Sequence, residues 1–165
     1  MTKTLHYVFD PLCGWCYGAI QTVSALARSP AAQLHLMPSG LFSGAGARAI
    51  VDAIAAIAWS NDQRIERLTG QHFSERYRSQ VLPDDHQMFD SGPASVALTA
   101  VALTASQREL DALKAIQRAR FLDGLDVARP ETRSALLHAH ALDQAAALLT
   151  EPGSSLPEAH LVRVA

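Results

Sequence analysis

The segment that decides the fold of this chain is DPLCGWCYG, residues 10–18. It contains Cys13 and Cys16, the only two cysteines among 165 residues. A run rich in β-forming residues, 5–9, precedes the segment, and a helical pattern over residues 19–27 follows it. Two cysteines separated by two residues, placed between a strand and a helix, have the layout of a dithiol redox site.

The chemistry of a dithiol depends on this placement. The unpaired N–H groups and the positive end of the dipole at a helix N-terminus favour a thiolate over a thiol. Cys13 is therefore predicted to be the nucleophile. Cys16 lies about one helical turn further along, where it can attack a mixed disulfide and release the substrate. The alternatives are two buried structural cysteines or half of a zinc site.

A zinc site would need two further ligands, and the histidines supply no convincing pair. His138 and His140 are two residues apart, so they point to different faces of a helix. His72 and His86 lie in or near predicted loops without an evident partner. No metal site is predicted.

Composition limits the class of protein. A chain of 165 residues predicts one domain with a substantial core. Apolar residues make up 48% and the formal net charge is −2, which indicates a soluble globular protein with no general attraction for nucleic acid. No signal-peptide pattern precedes the first strand, and the longest apolar stretch, residues 54–59, is too short to span a bilayer. We therefore expect a cytoplasmic location and no membrane partner.

The remaining pattern predicts one more strand and many helices. Residues 33–37 alternate and predict a second strand, parallel to the first. Residues 47–58 predict a helix, after which Ser60 or Asn61 caps a new helix that Gly70 ends. Further helices are predicted over residues 74–81, 92–104, 107–122, 130–139 and 143–149. Their aromatic residues are expected in the core: Trp59, Phe73, Tyr77, Phe89 and Phe121.

The run HYVFDPLCGWCYG, residues 6–18, resembles the opening of bacterial cytoplasmic DsbA-like proteins related to FrnE. These are thioredoxin-fold proteins described as predicted protein-disulfide isomerases. The resemblance continues more loosely through residues 89–93 and 116–119 and covers roughly the first 145 residues. It implies an α/β fold of DsbA type in a single domain. Residues 1–40 would form the thioredoxin-like βαβ part, residues 41–150 a helical insertion, and residues 151–165 a short tail or strand.

The end of the chain departs from this resemblance. The family carries a cis-proline loop, an antiparallel hairpin and a final helix beyond the insertion, and none of these is evident after residue 155. Residues 156–164 are predicted to form one strand, with Pro157 as the candidate for the cis-proline. The sheet would then have two or three strands and an unpaired edge. We expect either a shortened or frameshifted family member or a protomer that completes its sheet by dimerising.

The residues between the cysteines are expected to tune the redox potential. In this fold the pair corresponding to Gly14 and Trp15 influences the pKa of the nucleophile, and the combination here implies an intermediate potential. Trp15 could also offer an apolar surface to unfolded chains, or it could pack beside the site.

Three neighbouring residues have candidate supporting roles. Asp10 could accept a proton from Cys16, or it could be a turn residue at the helix entry. Pro11 is expected to fix the turn. Tyr17 could donate a hydrogen bond near the thiolate, or it could pack in the core.

The predicted function is that of a thiol–disulfide oxidoreductase or isomerase that acts through Cys13 and Cys16. The resemblance implies no metal or organic cofactor, and it implies protein thiols or disulfides, or glutathione, as partners. The alternative is a non-catalytic remnant or binding module of the same fold. A glutathione-dependent isomerase of small molecules is a third hypothesis, but such proteins usually carry serine where Cys13 stands.

Overall fold

The computed structural model describes residues 2–83 and 88–164. Strand β1 (Lys3–Phe9) and strand β2 (Ala32–Pro38) pair in parallel, with Lys3 opposite Ala32 and Phe9 opposite Pro38. Helix α1 (Gly14–Ala27) connects them. The predicted βαβ start is confirmed, and within the described residues this sheet has two strands.

The rest of the described chain is mainly helical. A second, two-stranded antiparallel pair joins β3 (Arg48–Ala49) to β4 (Met88–Phe89). The helices of this part are α2 (Asp52–Thr69), α3 (Glu75–Gln80), α4 (Gly92–Ala105), α5 (Glu109–Phe121), α6 (Pro130–Ala139), α7 (Asp143–Leu148) and α8 (Leu156–Arg163). Single turns of 3₁₀-helix lie at Gly44–Gly46 and Ser106–Arg108.

Helix α4 lies at the centre of the molecule, in contact with α5, α7 and α8. Small and apolar residues surround its axis, and Leu98, Ala100 and Val101 are completely buried. A helix that is apolar nearly all round must be enclosed by other elements. The position of α4 therefore follows from its composition.

An aromatic cluster joins α1 to the helical part. The rings of Tyr17 and Phe121 stack with centroids 4.8 Å apart, and Phe73 and Tyr77 meet Phe121 edge-on. Of the five aromatic residues expected in the core, Phe73, Tyr77, Phe89 and Phe121 are buried. Trp59 is only partly buried, with the guanidinium group of Arg78 5.1 Å from its ring.

The predicted break at Ser60 or Asn61 is wrong. Helix α2 runs without interruption through both residues, and Gly70 ends it in the left-handed conformation at φ 75°. The predicted helix over residues 47–58 also begins too early, because α2 starts at Asp52. Buried Ile50 therefore lies before the helix, and Ile57 lies within it and is 63% exposed. Serine and asparagine are common caps, but inside a helix they are tolerated when tertiary packing holds the turns on both sides.

The predicted C-terminal strand is also wrong, because residues 156–163 form α8. Pro157 lies in the first turn of α8, where its fixed φ suits a helix, and no peptide bond among the described residues is cis. Glu158 in the first turn and Arg163 in the last complement the helix dipole. The side chain of Arg163 is paired with the carboxylate of Glu109 on α5, which fastens α8 to the core.

Two of the histidines considered as metal ligands have carboxylate partners. The Nδ1 atom of His72 lies 2.8 Å from Oε1 of Glu66, so His72 does have a partner, although its side chain is 65% exposed. His138 similarly contacts Asp143, at 2.6 Å. His86 lies outside the described residues.

Candidate active site

Cys13 immediately precedes the first residue of α1. Its backbone is extended (φ −78°, ψ 117°), and its carbonyl accepts the first helical hydrogen bond, from the N–H of Tyr17 at 3.0 Å. The N–H of Cys13 donates to the carbonyl of Asp10 at 3.1 Å, which closes the turn after β1. Both cysteines are free thiols and partly exposed. Cys13 therefore stands at the N-terminus of α1, as the sequence predicts.

The electrostatic environment separates the two thiols. The pKa of Cys13 is lowered to about 6. The largest cause is a hydrogen bond from the Cys16 thiol; the N–H groups of Cys16 and Trp15 also lower it, whereas partial burial and the charge of Asp10 raise it. The same hydrogen bond raises the pKa of Cys16 strongly, as does its burial. At neutral pH the arrangement thus favours a thiolate at Cys13 and a protonated thiol at Cys16.

Asp10 is buried at the end of β1, and three donors surround its carboxylate. Oδ1 accepts from the N–H of Leu12 at 2.9 Å, and Oδ2 accepts from the N–H of Phe42 at 3.1 Å and from the hydroxyl of Ser91 at 2.6 Å. Burial raises the pKa of Asp10, and these hydrogen bonds oppose the rise. The contact of Asp10 with Cys16 is made by the backbone, whose N–H lies 3.5 Å from Sγ.

The other predicted site residues divide between the surface and the core. Trp15 is 47% exposed beside Cys13, and the guanidinium group of Arg64 lies 5.9 Å from its ring. Pro11 is buried in the turn. The hydroxyl of Tyr17 donates to the carbonyl of His72 at 3.1 Å. The structure thus brings Trp15 and Cys13 together and directs the Tyr17 hydroxyl to a partner in the helical part.

A cleft of about 250 Å³ opens beside Cys13. One wall is the start of α1 and the other is the face of α2, so the helical part forms half of the site. The lining is largely apolar and includes Leu12, Trp15, Phe42, Ile54, Ile57 and Phe89, with Arg48 and Asp62 as charged members. This cleft can admit a thiol or disulfide with an apolar or peptide-like body to the sulfur of Cys13.

Tyr7 and Asp62 are among the residues of the site that were not predicted from the sequence. The hydroxyl of Tyr7, on β1, donates to the carbonyl of Cys16 at 3.0 Å. Asp62, on α2, is only 4% exposed and lines the cleft, and its Oδ2 accepts from the hydroxyl of Tyr77 at 3.0 Å. Burial raises the pKa of Asp62 to about 7. The sequence signal that could have placed Asp62 on the buried face of α2 is its spacing, three residues before Ile65.

Comparison with known proteins complements this geometry. No protein-family model matches the chain, and no curated protein matches it. Among solved structures, the cytosolic disulfide reductase DsbM from Pseudomonas aeruginosa is 29% identical, with a TM-score of 0.78, over 97% of this chain and 70% of that chain. The chain has a DsbA-like thioredoxin fold.

Two further structures support this fold assignment. The structure of DsbM with GSH is 28% identical, with a TM-score of 0.81, over 98% of this chain and 77% of that chain. A candidate protein disulfide isomerase from Nitrosomonas europaea shares the fold with a TM-score of 0.82 at 20% identity, over 98% of this chain and 76% of that chain. The DsbA-like protein is a thiol–disulfide oxidoreductase, and the non-catalytic alternative is not favoured.

The described residues also bear on membrane helices and metal sites. None of their helices combines the length and the apolar character that a bilayer crossing requires. Within the same residues, no group of three or more histidine, cysteine, aspartate or glutamate side chains is arranged to hold a metal ion.

Proposed function

We propose that this protein exchanges disulfides through Cys13 as nucleophile and Cys16 as resolving thiol, with protein thiols or glutathione as partners. One observation carries the proposal. Cys13 stands at the N-terminus of α1, beside an open cleft, with its pKa lowered to about 6, while Cys16 holds its proton behind it. A nucleophile that is ionised and accessible, paired with a thiol that is held in reserve, is what two-step exchange requires.

The reaction then runs in two balanced steps. The thiolate of Cys13 attacks one sulfur of a disulfide R–S–S–R′, forms the Cys13–S–S–R bond, and releases R′S⁻, which takes a proton from water. Cys16 loses its proton and attacks the sulfur of Cys13, which forms the Cys13–Cys16 disulfide and releases R–S⁻, which takes up a proton. Two molecules of a small thiol such as glutathione reduce the pair again and leave as their disulfide.

The comparison with DsbM supports glutathione as the small thiol. DsbM is named a cytosolic disulfide reductase, and one of its structures contains GSH. We propose the same reductive direction and a cytoplasmic location for this chain. In the cytoplasm the glutathione pool is kept reduced, so a dithiol with an ionised nucleophile is returned to its reduced form after each cycle.

The neighbouring residues take the following proposed roles. Gly14 and Trp15 tune the potential of the dithiol, and the exposed indole of Trp15 offers an apolar contact to a substrate chain. Asp10 and Pro11 hold the turn that presents Cys13, and Tyr17 anchors α1 to the helical part through its hydroxyl. The reaction needs no metal or organic cofactor, because sulfur atoms carry out every step.

The oligomeric state remains a separate proposal. Because β1 and β2 form a two-stranded sheet in the described residues, a second copy could complete it. Sedimentation of the purified chain tests this proposal without reference to activity. A monomer at all concentrations would contradict it.

The function is tested with two cysteine variants. Cys13→Ser should abolish glutathione-coupled reduction of a small disulfide and of insulin, because no nucleophile remains. Cys16→Ser should accumulate a mixed disulfide between Cys13 and glutathione, detectable as a mass increase that a reductant removes. Ser106→Ala is the control for expression and purification, because Ser106 lies in a 3₁₀ turn and does not line the cleft. Retained turnover in Cys13→Ser would contradict the proposal.

A further inference from the structure

The buried acid in the wall of the cleft has no part in the exchange steps described above. Asp62 lies on α2 rather than in the thioredoxin-like part, and its carboxyl group packs against the first turn of α1. A methyl group added to Gly14, the residue after Cys13, would collide with Oδ1 of Asp62. The absence of a side chain at Gly14 therefore admits this carboxyl group to the N-terminus of α1.

The packing of α1 on α2 keeps Asp62 in this place. A methyl group on Gly18, one turn after Gly14, would lie 2.6 Å from Ile65 and 3.2 Å from Thr69. Two glycines on one face of α1 thus let α2 approach closely along more than one turn. Asp62 and Ile65 are the buried residues of α2, so the acid is part of this contact surface.

We propose that Asp62 is a positioning residue that couples a proton to the redox state of the dithiol. The thiolate of Cys13 and the carboxylate of Asp62 compete for the same helix N-terminus, so that the negative charge of one opposes the ionisation of the other. When Cys13 enters a disulfide its charge disappears and Asp62 ionises more readily. When the disulfide is reduced, the thiolate returns and Asp62 takes up a proton.

The groups that face Asp62 agree with this coupling. On α3, the hydroxyl of Tyr77 donates to Oδ2 and favours the carboxylate, as does the charge of buried Arg120 on α5. Burial outweighs both, and the thiolate of Cys13 adds to the rise, which brings the pKa of Asp62 to about 7. The other charged residue in the lining of the cleft is Arg48, on β3. Cys13, with a pKa of about 6, and Asp62, with a pKa of about 7, change charge over neighbouring pH ranges.

The proton balance gives a measurable consequence. Reduction of the disulfide to one thiolate and one thiol takes up one proton, and Asp62 takes up a further fraction of a proton wherever its pKa differs between the two redox states. At pH 7 the wild-type protein should therefore take up more than one proton for each disulfide reduced. In Asp62→Asn the number should fall toward one. The charge of Asp10 also opposes the ionisation of Cys13, but Asp10 is present in both proteins and does not account for the difference between them.

The experiment measures the equilibrium between the oxidised protein and dithiothreitol from pH 6 to pH 8. Dithiothreitol, whose two thiols stay protonated over this range, releases two protons when it is oxidised. The slope of the logarithm of the exchange constant against pH therefore equals two minus the number of protons that the protein takes up. Asp52→Asn, which removes the same charge from an exposed position on α2, is the matched control and should reproduce the wild-type slope. Tyr77→Phe is the second variant. It keeps the carboxyl group but removes a donor to the carboxylate, so the additional proton uptake should move to higher pH.

The outcomes separate this inference from the proposed function on which it rests. If Cys13 and Cys16 form no disulfide in the exchange with dithiothreitol, the proposed function fails. If they form one but Asp62→Asn keeps the wild-type slope, or changes it no more than Asp52→Asn does, the coupling is refuted. If Asp62→Asn does not fold, the Tyr77→Phe variant decides. The coupling is then refuted if the additional proton uptake of Tyr77→Phe occurs over the same pH range as in the wild-type protein.

Discussion

The hydroxyl of Ser91 donates a 2.6 Å hydrogen bond to Oδ2 of Asp10, across 81 positions of the chain. Both residues are buried, Asp10 after the last residue of β1 and Ser91 before the first residue of α4. The same carboxylate accepts the N–H of Leu12, next to Cys13. This bond ties the turn that presents the nucleophile to the central helix of the insertion.

Ser91→Ala should destabilise the protein by about 1–3 kcal/mol, because a buried carboxylate loses one of its three donors. Denaturant unfolding measures the loss. The control is Ser79→Ala. Ser79 is an exposed residue of α3 whose hydroxyl bonds only to its own helix, and this variant should stay within about 0.5 kcal/mol of wild type. Equal effects of the two variants would show that the contact between Asp10 and Ser91 contributes little.

Alkylation of Cys13 should follow the ionisation of its thiol. In the reduced protein the rate should reach half its maximum near pH 6, whereas the unfolded chain should titrate near the free-cysteine value of about 8.5. The pKa of Cys16 is raised, so Cys16 should stay unmodified over this range. Iodoacetamide trapping with mass spectrometry measures both sites. A folded chain that reacts with the profile of the denatured chain would contradict the predicted environment of Cys13.

Tyr7→Phe should slow resolution of the mixed disulfide more than its formation. The hydroxyl of Tyr7 donates to the carbonyl of Cys16, and it also opposes the raised pKa of the Cys16 thiol. Without it Cys16 ionises less readily, so the glutathione adduct on Cys13 should live longer. Samples quenched at successive times and analysed by mass spectrometry give the lifetime of the glutathione adduct.

The control for Tyr7→Phe is Tyr17→Phe. The hydroxyl of Tyr17 donates to the carbonyl of His72 in the helical part, so its loss should lower stability by about 1 kcal/mol and leave the lifetime of the adduct unchanged. A longer lifetime in both variants would indicate a general loosening of α1 rather than a specific effect of Tyr7.

Gly14→Ala should destabilise the protein by about 1–3 kcal/mol, because the new methyl group meets the carboxyl group of Asp62. Asp62→Ala removes that obstacle. In the double variant, Gly14→Ala should therefore be less harmful than in the wild-type background. A double-mutant cycle from denaturant unfolding measures the coupling, and strictly additive effects would contradict the close approach.

Arg163→Ala should cost about 2 kcal/mol of unfolding free energy, because Glu109 is 7% exposed and would lose the side chain paired with it. Arg118→Ala removes a guanidinium group from an exposed pair with Asp123 and should cost less than about 0.5 kcal/mol. Thermal and denaturant unfolding measure both variants. If Arg163→Ala behaves like Arg118→Ala, α8 does not depend on this pair for its attachment.

Several features were predictable because their signals are local. The strand, turn and helix around Cys13 follow from β-forming residues, a turn residue pair and helical periodicity within 30 residues. The bounds of α6 agree with prediction, and Gly70 ends α2 as expected. The C-terminal segment was predicted wrongly because its short apolar run suits a strand as well as a helix. Packing against α4 and the contact of Arg163 with Glu109 favour the helix.

The sequence by itself determined that a dithiol stands at the start of a helix in a thioredoxin-like βαβ unit, since the signals for the strand, the turn and the helix lie close together along the chain. Only the tertiary structure decided what surrounds the dithiol. Asp62, Ser91 and Tyr7 reach it from other elements, and neither spacing nor periodicity links them to Cys13. The effects of all three depend on burial and on distances of a few ångströms. Those of Asp62 and Ser91 arise only when α2 and α4 pack against the βαβ unit, and that of Tyr7 arises when α1 packs against β1.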